Sequence, residues 1–252
     1  MAQQATPVRT ARLGRTLGPE PTAVSGAVLL LPAGREVSAR RPRALAAARA
    51  RALGRRLARA GRAEGLATHV VHYRYHGWNG SEAHPAHDAT WAVEETVRRY
   101  GDVPVCLAGL DMGGRAALHA AGHEAVNSVV AIAPWLPEDD VAASPEPVKQ
   151  LAGRQVLIVH GTNDERTDPE LSFRFAERAK KANRDVCRFE VHADGHGLRQ
   201  YREEVAALTA NFVMGALFGR VLSRPVRDAL AAPPPLGLRM PLAAGFGKSL
   251  RQ

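Results

Sequence analysis

From about residue 25 to residue 218, short apolar runs alternate with longer stretches of helical periodicity. The runs are Ala27–Leu31, Thr68–Tyr73, Val103–Ala108, Ser128–Ala133, Gln155–His160 and Val186–Val191. Most are continuously apolar rather than alternating, as expected of parallel strands covered on both faces. Between them the periodicity predicts helices over Arg43–Ala60, His87–Tyr100, Met112–Ala121, Pro169–Ala182 and Leu198–Leu217. The first sets Leu45, Ala48, Ala52, Leu53 and Leu57 on one side and its arginines mainly on the other. The second offers Trp91, Val93 and Val97 for burial. The fourth begins after Thr167-Asp168-Pro169-Glu170, which supplies an N-cap, a first-turn proline and a nearby glutamate. The prediction is an α/β fold: a doubly wound, mainly parallel sheet of about six strands with helices on both faces. Ligands in such a sheet bind at the carboxyl ends of the strands.

With 252 residues the chain can bury one large core. Residues 1–24 are polar and basic and read as an arm or weak edge strand, 25–219 as the α/β domain, and 220–252 as a Pro/Gly/Arg-rich, loosely attached tail. No apolar run approaches the ~18 residues of a membrane span. The first twenty residues lack an apolar core of signal-peptide type, so the expected location is cytoplasmic. Cys106 and Cys187 lie inside strand-like runs and read as small buried hydrophobes. The net charge of +9 is concentrated in residues 1–62, where 13 arginines face only Glu20 and Glu36. Clustered arginine is the footprint of phosphate binding. Here, however, it lacks interleaved aromatics and a recognised nucleic-acid module. Arginine outnumbers lysine 30 to 4 throughout, so compositional bias explains the cluster better. The expected partner is a small-molecule substrate, with neither nucleic acid nor membrane.

The chemistry gathers at strand ends. Gly109-Leu110-Asp111-Met112-Gly113-Gly114 follows a strand and precedes a helix, the setting in which a G-x-nucleophile-x-G turn is meaningful. Asp164 follows the fifth apolar run in Val159-His160-Gly161-Thr162-Asn163-Asp164. His196 follows the sixth in His192-Ala193-Asp194-Gly195-His196-Gly197, with His192 as fallback. Asp168 competes with Asp164 but is accounted for by its helix-start position. The pairs His84/His87 and His119/His123 lack a supporting carboxylate or cysteine pattern, so no metal site and no cofactor is expected.

The order nucleophile, acid, base resembles that of the α/β-hydrolase superfamily. In detail the chain looks like the compact, lidless dienelactone-hydrolase-like members. The supporting residues are Arg74-Tyr75-His76-Gly77-Trp78-Asn79-Gly80, Ala131-Ile132-Ala133-Pro134-Trp135-Leu136 and the His160-Gly161-Thr162 turn. The resemblance implies a triad of Asp111, Asp164 and His196. It also implies an oxyanion hole formed by the backbone N–H groups of Met112 and Ala33, the latter in Pro32-Ala33-Gly34, where relatives often carry His-Gly-Gly. The departure from the pattern is Asp111 itself, where serine is usual.

A carboxylate attacking an ester would form a high-energy anhydride, which disfavours simple esterase chemistry. Attack at an sp³ carbon instead gives a stable alkyl ester that a histidine-activated water can hydrolyse. Haloalkane dehalogenases and epoxide hydrolases of the superfamily work in this way. They carry a helical cap, for which the interval between Ala133 and Gln155 is too short, and Met112 differs from their usual residue. Any partner for the leaving group must then come from Tyr73, Tyr75, Trp78 or Trp135, of which Tyr75, Trp78 and Trp135 are also expected to line the substrate pocket. Three functions remain open: a hydrolase with Asp111 as nucleophile, a lyase, isomerase or cyclase using Asp111 as acid–base group, and a catalytically silent binding protein.

Overall fold

The computed structural model describes residues 9–42, 44–137 and 146–248. Its strands are β1 (Arg12–Leu13), β2 (Gly26–Leu31), β3 (Leu66–His72), β4 (Val105–Leu110), β5 (Val126–Ile132), β6 (Gln155–Gly161), β7 (Val186–Val191) and β8 (Met240–Pro241). Its helices are α1 (Ala44–Ala60), α2 (His84–Tyr100), α3 (Met112–His119), α4 (Pro169–Ala182), α5 (Arg202–Phe218) and α6 (Arg224–Ala231). The eight-stranded sheet runs β1-β3-β2-β4-β5-β6-β7-β8. Only the β1–β3 pair is antiparallel.

The continuous apolar runs are explained by two cores, one on each face. Ala27, Leu29, Leu31, Leu107, Val129 and Ile158 meet α2, α3 and α4. Their neighbours Val28, Leu30, Cys106, Ala108, Val130 and Leu157 meet α1, α5 and α6. Each central strand therefore needs apolar residues at both parities. Cys106 and Cys187 are free and buried, and burial pushes both thiols up to about 12.

Of the two edges, the first takes the edge-strand reading of residues 1–24 and the second departs from expectation. Arg12–Leu13 pairs with the end of β3. The segment after residue 220 is not a loose tail among its described residues: α6 and Leu238 enter the cores and β8 extends β7. A buried ammonium holds it there. Lys180 Nζ shares its three protons among the carbonyls of Arg184 and Val186 and, across the junction, Ala229 and Leu230. The buried Arg188 adds a bond to the Leu238 carbonyl. On α1 the buried side is Ala47, Ala50, Leu53, Gly54 and Leu57, while Leu45 is 74% exposed. On α2, Val93 is buried together with Ala86, Ala89 and Ala92, whereas Trp91 and Val97 are only half-buried.

From β2 the chain moves outward to β3, then crosses back to β4 on the other side of β2. Connections therefore diverge between the carboxyl ends of β2 and β4, leaving a crevice there. Pro32–Gly34 leaves one strand at that point and Asp111 leaves the other.

Candidate active site

Asp111 turns between β4 and α3 with φ 55° and ψ −122°, a conformation that side-chain-bearing residues rarely adopt. Its neighbours make the turn possible. A Cβ at Gly109 would meet the Gly113 carbonyl, and one at Gly113 would meet the Leu31 carbonyl. The turn is tied to β5 as well: Asp111 N–H donates to the Ile132 carbonyl at 2.9 Å and Trp135 N–H to the Asp111 carbonyl at 3.2 Å.

His196 and Asp164 converge on this carboxylate. His196 Nδ1 lies 2.9 Å from Asp164 Oδ2, and its Nε2 lies 3.8 Å from Asp111 Oδ2. The first distance is a hydrogen bond; the second is too long for one. Asp194 orders the loop bearing His196, its buried carboxylate accepting the N–H groups of Gly195, Arg199, Gln200 and Tyr201. His192, the fallback, is exposed. Asp168 caps α4 by accepting Glu170 N–H at 2.8 Å.

Asp164 is fully enclosed and densely bonded. Oδ1 accepts the N–H groups of Arg166 and Thr167. Oδ2 accepts Thr167 Oγ1–H at 2.7 Å and faces His160 Nε2 at 3.2 Å besides His196. Burial alone would raise its pKa. Hydrogen bonds from His160, His196 and Thr167 overcome that and hold the group far below the usual carboxylate range.

Asp111 behaves oppositely. Burial raises its pKa above the usual range, only partly offset by Arg166, His196 and the Met112 N–H, while Asp164 adds a further upward push. The Arg166 contribution is a direct ion pair, Nη2 to Oδ2 at 2.8 Å. Nothing in the sequence had singled out Arg166, whose only signal is its place two residues after Asp164.

Asp111, Met112, Trp135 and Arg166 line an open cleft of about 470 Å³, closed on the other side by Gly34, Arg35, Glu36 and Val37. Tyr75 and Trp78 are not among the lining residues. Both are buried in the segment whose backbone laces onto residues 35–40, as in Trp78 N–H to the Arg35 carbonyl at 2.8 Å. Trp78 instead packs on the Arg115 guanidinium, 4.0 Å from its ring centroid, and Arg115 and His119 both pair with Glu146. Tyr73 is buried, its hydroxyl donating to the Pro32 carbonyl at 3.2 Å. Ala33 is half-buried beside the cleft, and the Met112 side chain rests against the adjoining Gly34. Among the described residues no cluster of His, Cys, Asp and Glu could hold a metal ion. No helix among them is long and apolar enough to cross a membrane.

A parallel sheet with an elbow after β4, an acid after β6 and a histidine after β7 defines the α/β-hydrolase fold. Solved structures of that fold superimpose on most of the chain. An esterase from Pyrococcus furiosus gives a TM-score of 0.58 at 14% identity, covering 77% of this chain and 84% of its own. An α/β serine hydrolase homologue from Coxiella burnetii gives 0.56 at 16%, covering 82% and 99%. Est1E from Butyrivibrio proteoclasticus, in a structure with bound ferulic acid, gives 0.57 at 16%, covering 82% and 94%. No protein-family model and no curated protein matches the sequence.

Proposed function

We propose that this protein is a hydrolase of an epoxide or other alkyl electrophile, with Asp111 as nucleophile, His196 as base and Asp164 as the group that orients it. The observation that carries this reading is the placement of His196, clamped at Nδ1 by Asp164 and presenting Nε2 across 3.8 Å to Asp111 at the cleft. That gap suits a base that activates water against an esterified Asp111 rather than one that deprotonates Asp111.

In the first step an Asp111 carboxylate oxygen bonds to the sp³ carbon, and the carbon–leaving-group bond breaks with its electron pair on the leaving group. Alkylation removes the Asp111 charge, so Arg166 loses its partner as the leaving anion appears and can stabilise it; solvent in the open cleft supplies a proton. In the second step His196 takes a proton from water, whose oxygen adds to Asp111 Cγ. The resulting oxyanion belongs to Asp111 itself, and the Met112 N–H that stabilises the resting carboxylate serves it. Collapse breaks the bond from Cγ to the alkyl-bearing oxygen, His196 returns its proton to the departing alcohol, and Asp111, left as the carboxylic acid, releases the remaining water proton to solvent.

The test is a single turnover in ¹⁸O-water with epoxide and alkyl-halide substrates. Label in the Asp111 carboxylate supports the proposal; label confined to product excludes it. A second reading, a catalytically silent binding protein, draws on the 2.8 Å Asp111–Arg166 pair, which occupies the nucleophile. Absence of turnover across epoxide, alkyl-halide and ester panels would favour it.

A further inference from the structure

We propose that His160 is a positioning residue of this site, gripping the same Asp164 oxygen that holds His196. The inference rests on the reading of His196 as the base. His160 lies at the end of β6 with no solvent exposure. Its Nε2 is 3.2 Å from Asp164 Oδ2, 3.1 Å from the Thr167 carbonyl and 3.2 Å from Thr167 Oγ1. Carboxylate and carbonyl can only accept, so Nε2 carries a proton and donates. Its Nδ1 is 2.8 Å from Ser172 Oγ on α4, which also receives Arg188 Nε from β7 at 3.0 Å and lies 2.8 Å from the Pro169 carbonyl. The imidazole is therefore fixed at both nitrogens by elements of the core.

Packing does not explain a histidine here. An apolar side chain would fill the site without needing two buried hydrogen-bond partners, whereas an imidazole is costly unless both are supplied. The partners are supplied, and one of them is the acid of the triad. The other side-chain donor to Asp164 Oδ2 besides His196 is Thr167 Oγ1, which also lies 3.2 Å from His196 Nδ1 and has a single rotatable proton. His160, rooted in a central strand, gives the carboxylate a donor that does not swing. It also divides the negative charge of Oδ2 between two imidazoles, which tempers the pull of Asp164 on His196. The charged groups around this pair are Asp111 and Arg166 on the cleft side and Arg188 and Glu190 behind Ser172.

The readout is the His196 Nδ1 proton in ¹H NMR of ¹⁵N-histidine-labelled protein, identified by its loss in His196→Gln. His160→Phe keeps the volume and removes the donor; His160→Gln keeps a donor. The expected result is a clear displacement or exchange-broadening of the resonance in His160→Phe and its retention in His160→Gln. With a reactive substrate, hydrolysis of the alkyl-enzyme should slow by about 10- to 100-fold in His160→Phe, with kcat and KM falling together and kcat/KM little changed. An unmoved resonance in folded His160→Phe overturns the proposal. Should that variant not fold, Ser172→Ala leaves the histidine in place but frees its Nδ1. The resonance must then move, and an unchanged one is equally fatal. The NMR arm needs no turnover, so a missing ¹⁸O label would sink the nucleophile reading without touching this coupling.

Discussion

Arg166 Nη2 and Asp111 Oδ2 stand 2.8 Å apart, a charge pair between a half-exposed guanidinium and an almost wholly buried carboxylate. The pair favours the charged form of a carboxylate at the bottom of a strand-to-helix turn. Burial works against the charge and Arg166 is the largest influence working for it. Arg166→Gln should therefore lift the Asp111 pKa further. Under the proposed mechanism Asp111 attacks as its carboxylate, so alkyl-enzyme formation falls as pH drops through that pKa. The acid limb of its rate–pH profile should move to higher pH in the variant. A limb that stays in place or moves down would refute this role.

Replacing Asp111 should make the fold more stable. The Asp111 pKa is raised on folding, so its ionisation costs stability in full above that value, and the cost declines below it to nothing under the ordinary carboxylate pKa. Asp111→Asn should melt at a higher temperature than wild type at neutral pH, by on the order of 1 kcal/mol in stability. The advantage should shrink as pH is lowered through the raised pKa. Equal or lower melting temperatures at neutral pH would contradict it.

His196→Gln should separate the two chemical steps. Under the proposed mechanism, attack by Asp111 then proceeds while water is no longer activated, so the ester accumulates. Intact-mass spectrometry should show a chain heavier by the alkyl group, with turnover reduced about 10²- to 10⁴-fold. Loss of turnover with no adduct under these conditions would argue against covalent catalysis.

Lys180→Met tests the attachment of the C-terminal segment. It leaves the carbonyls of Arg184, Val186, Ala229 and Leu230 without their shared donor. The expected cost is about 2 kcal/mol, with faster proteolysis after residue 220. Unchanged cleavage in that region would show that α6 and β8 are held by packing alone.

The central strands were legible in the sequence because burial on both faces leaves no polar position to blur the run, as in Val28–Leu31. The place of β1 within the first 24 residues, and β8 altogether, were not legible, since two residues such as Arg12–Leu13 or Met240–Pro241 carry no periodicity. On α1 the abundance of alanine let a slightly rotated face fit the pattern, so Leu45 was expected inside and is outside. Asp111, Asp164 and His196 could be proposed because each follows a strand, and the structure brings them within reach of one another. Arg166 was invisible because an arginine in a chain with 30 of them carries no signal. His160 was read as part of a turn, and Thr167 as a helix start. Their bonds to Asp164 depend on how the loop folds back over β6, which spacing along the chain does not encode.

The contact between Gly113 and the Leu31 carbonyl has a consequence for how such a site can diversify. Backbone meets backbone there, so Gly113, behind the cleft, tolerates almost no substitution. The facing wall at Arg35, Glu36 and Val37 is pinned by main-chain bonds to residues 76–79, while its side chains project into solvent. On the proposed function, changes at those three positions would alter which molecules enter without shifting the atoms that react, and selectivity and chemistry would be written on separate surfaces of the same crevice.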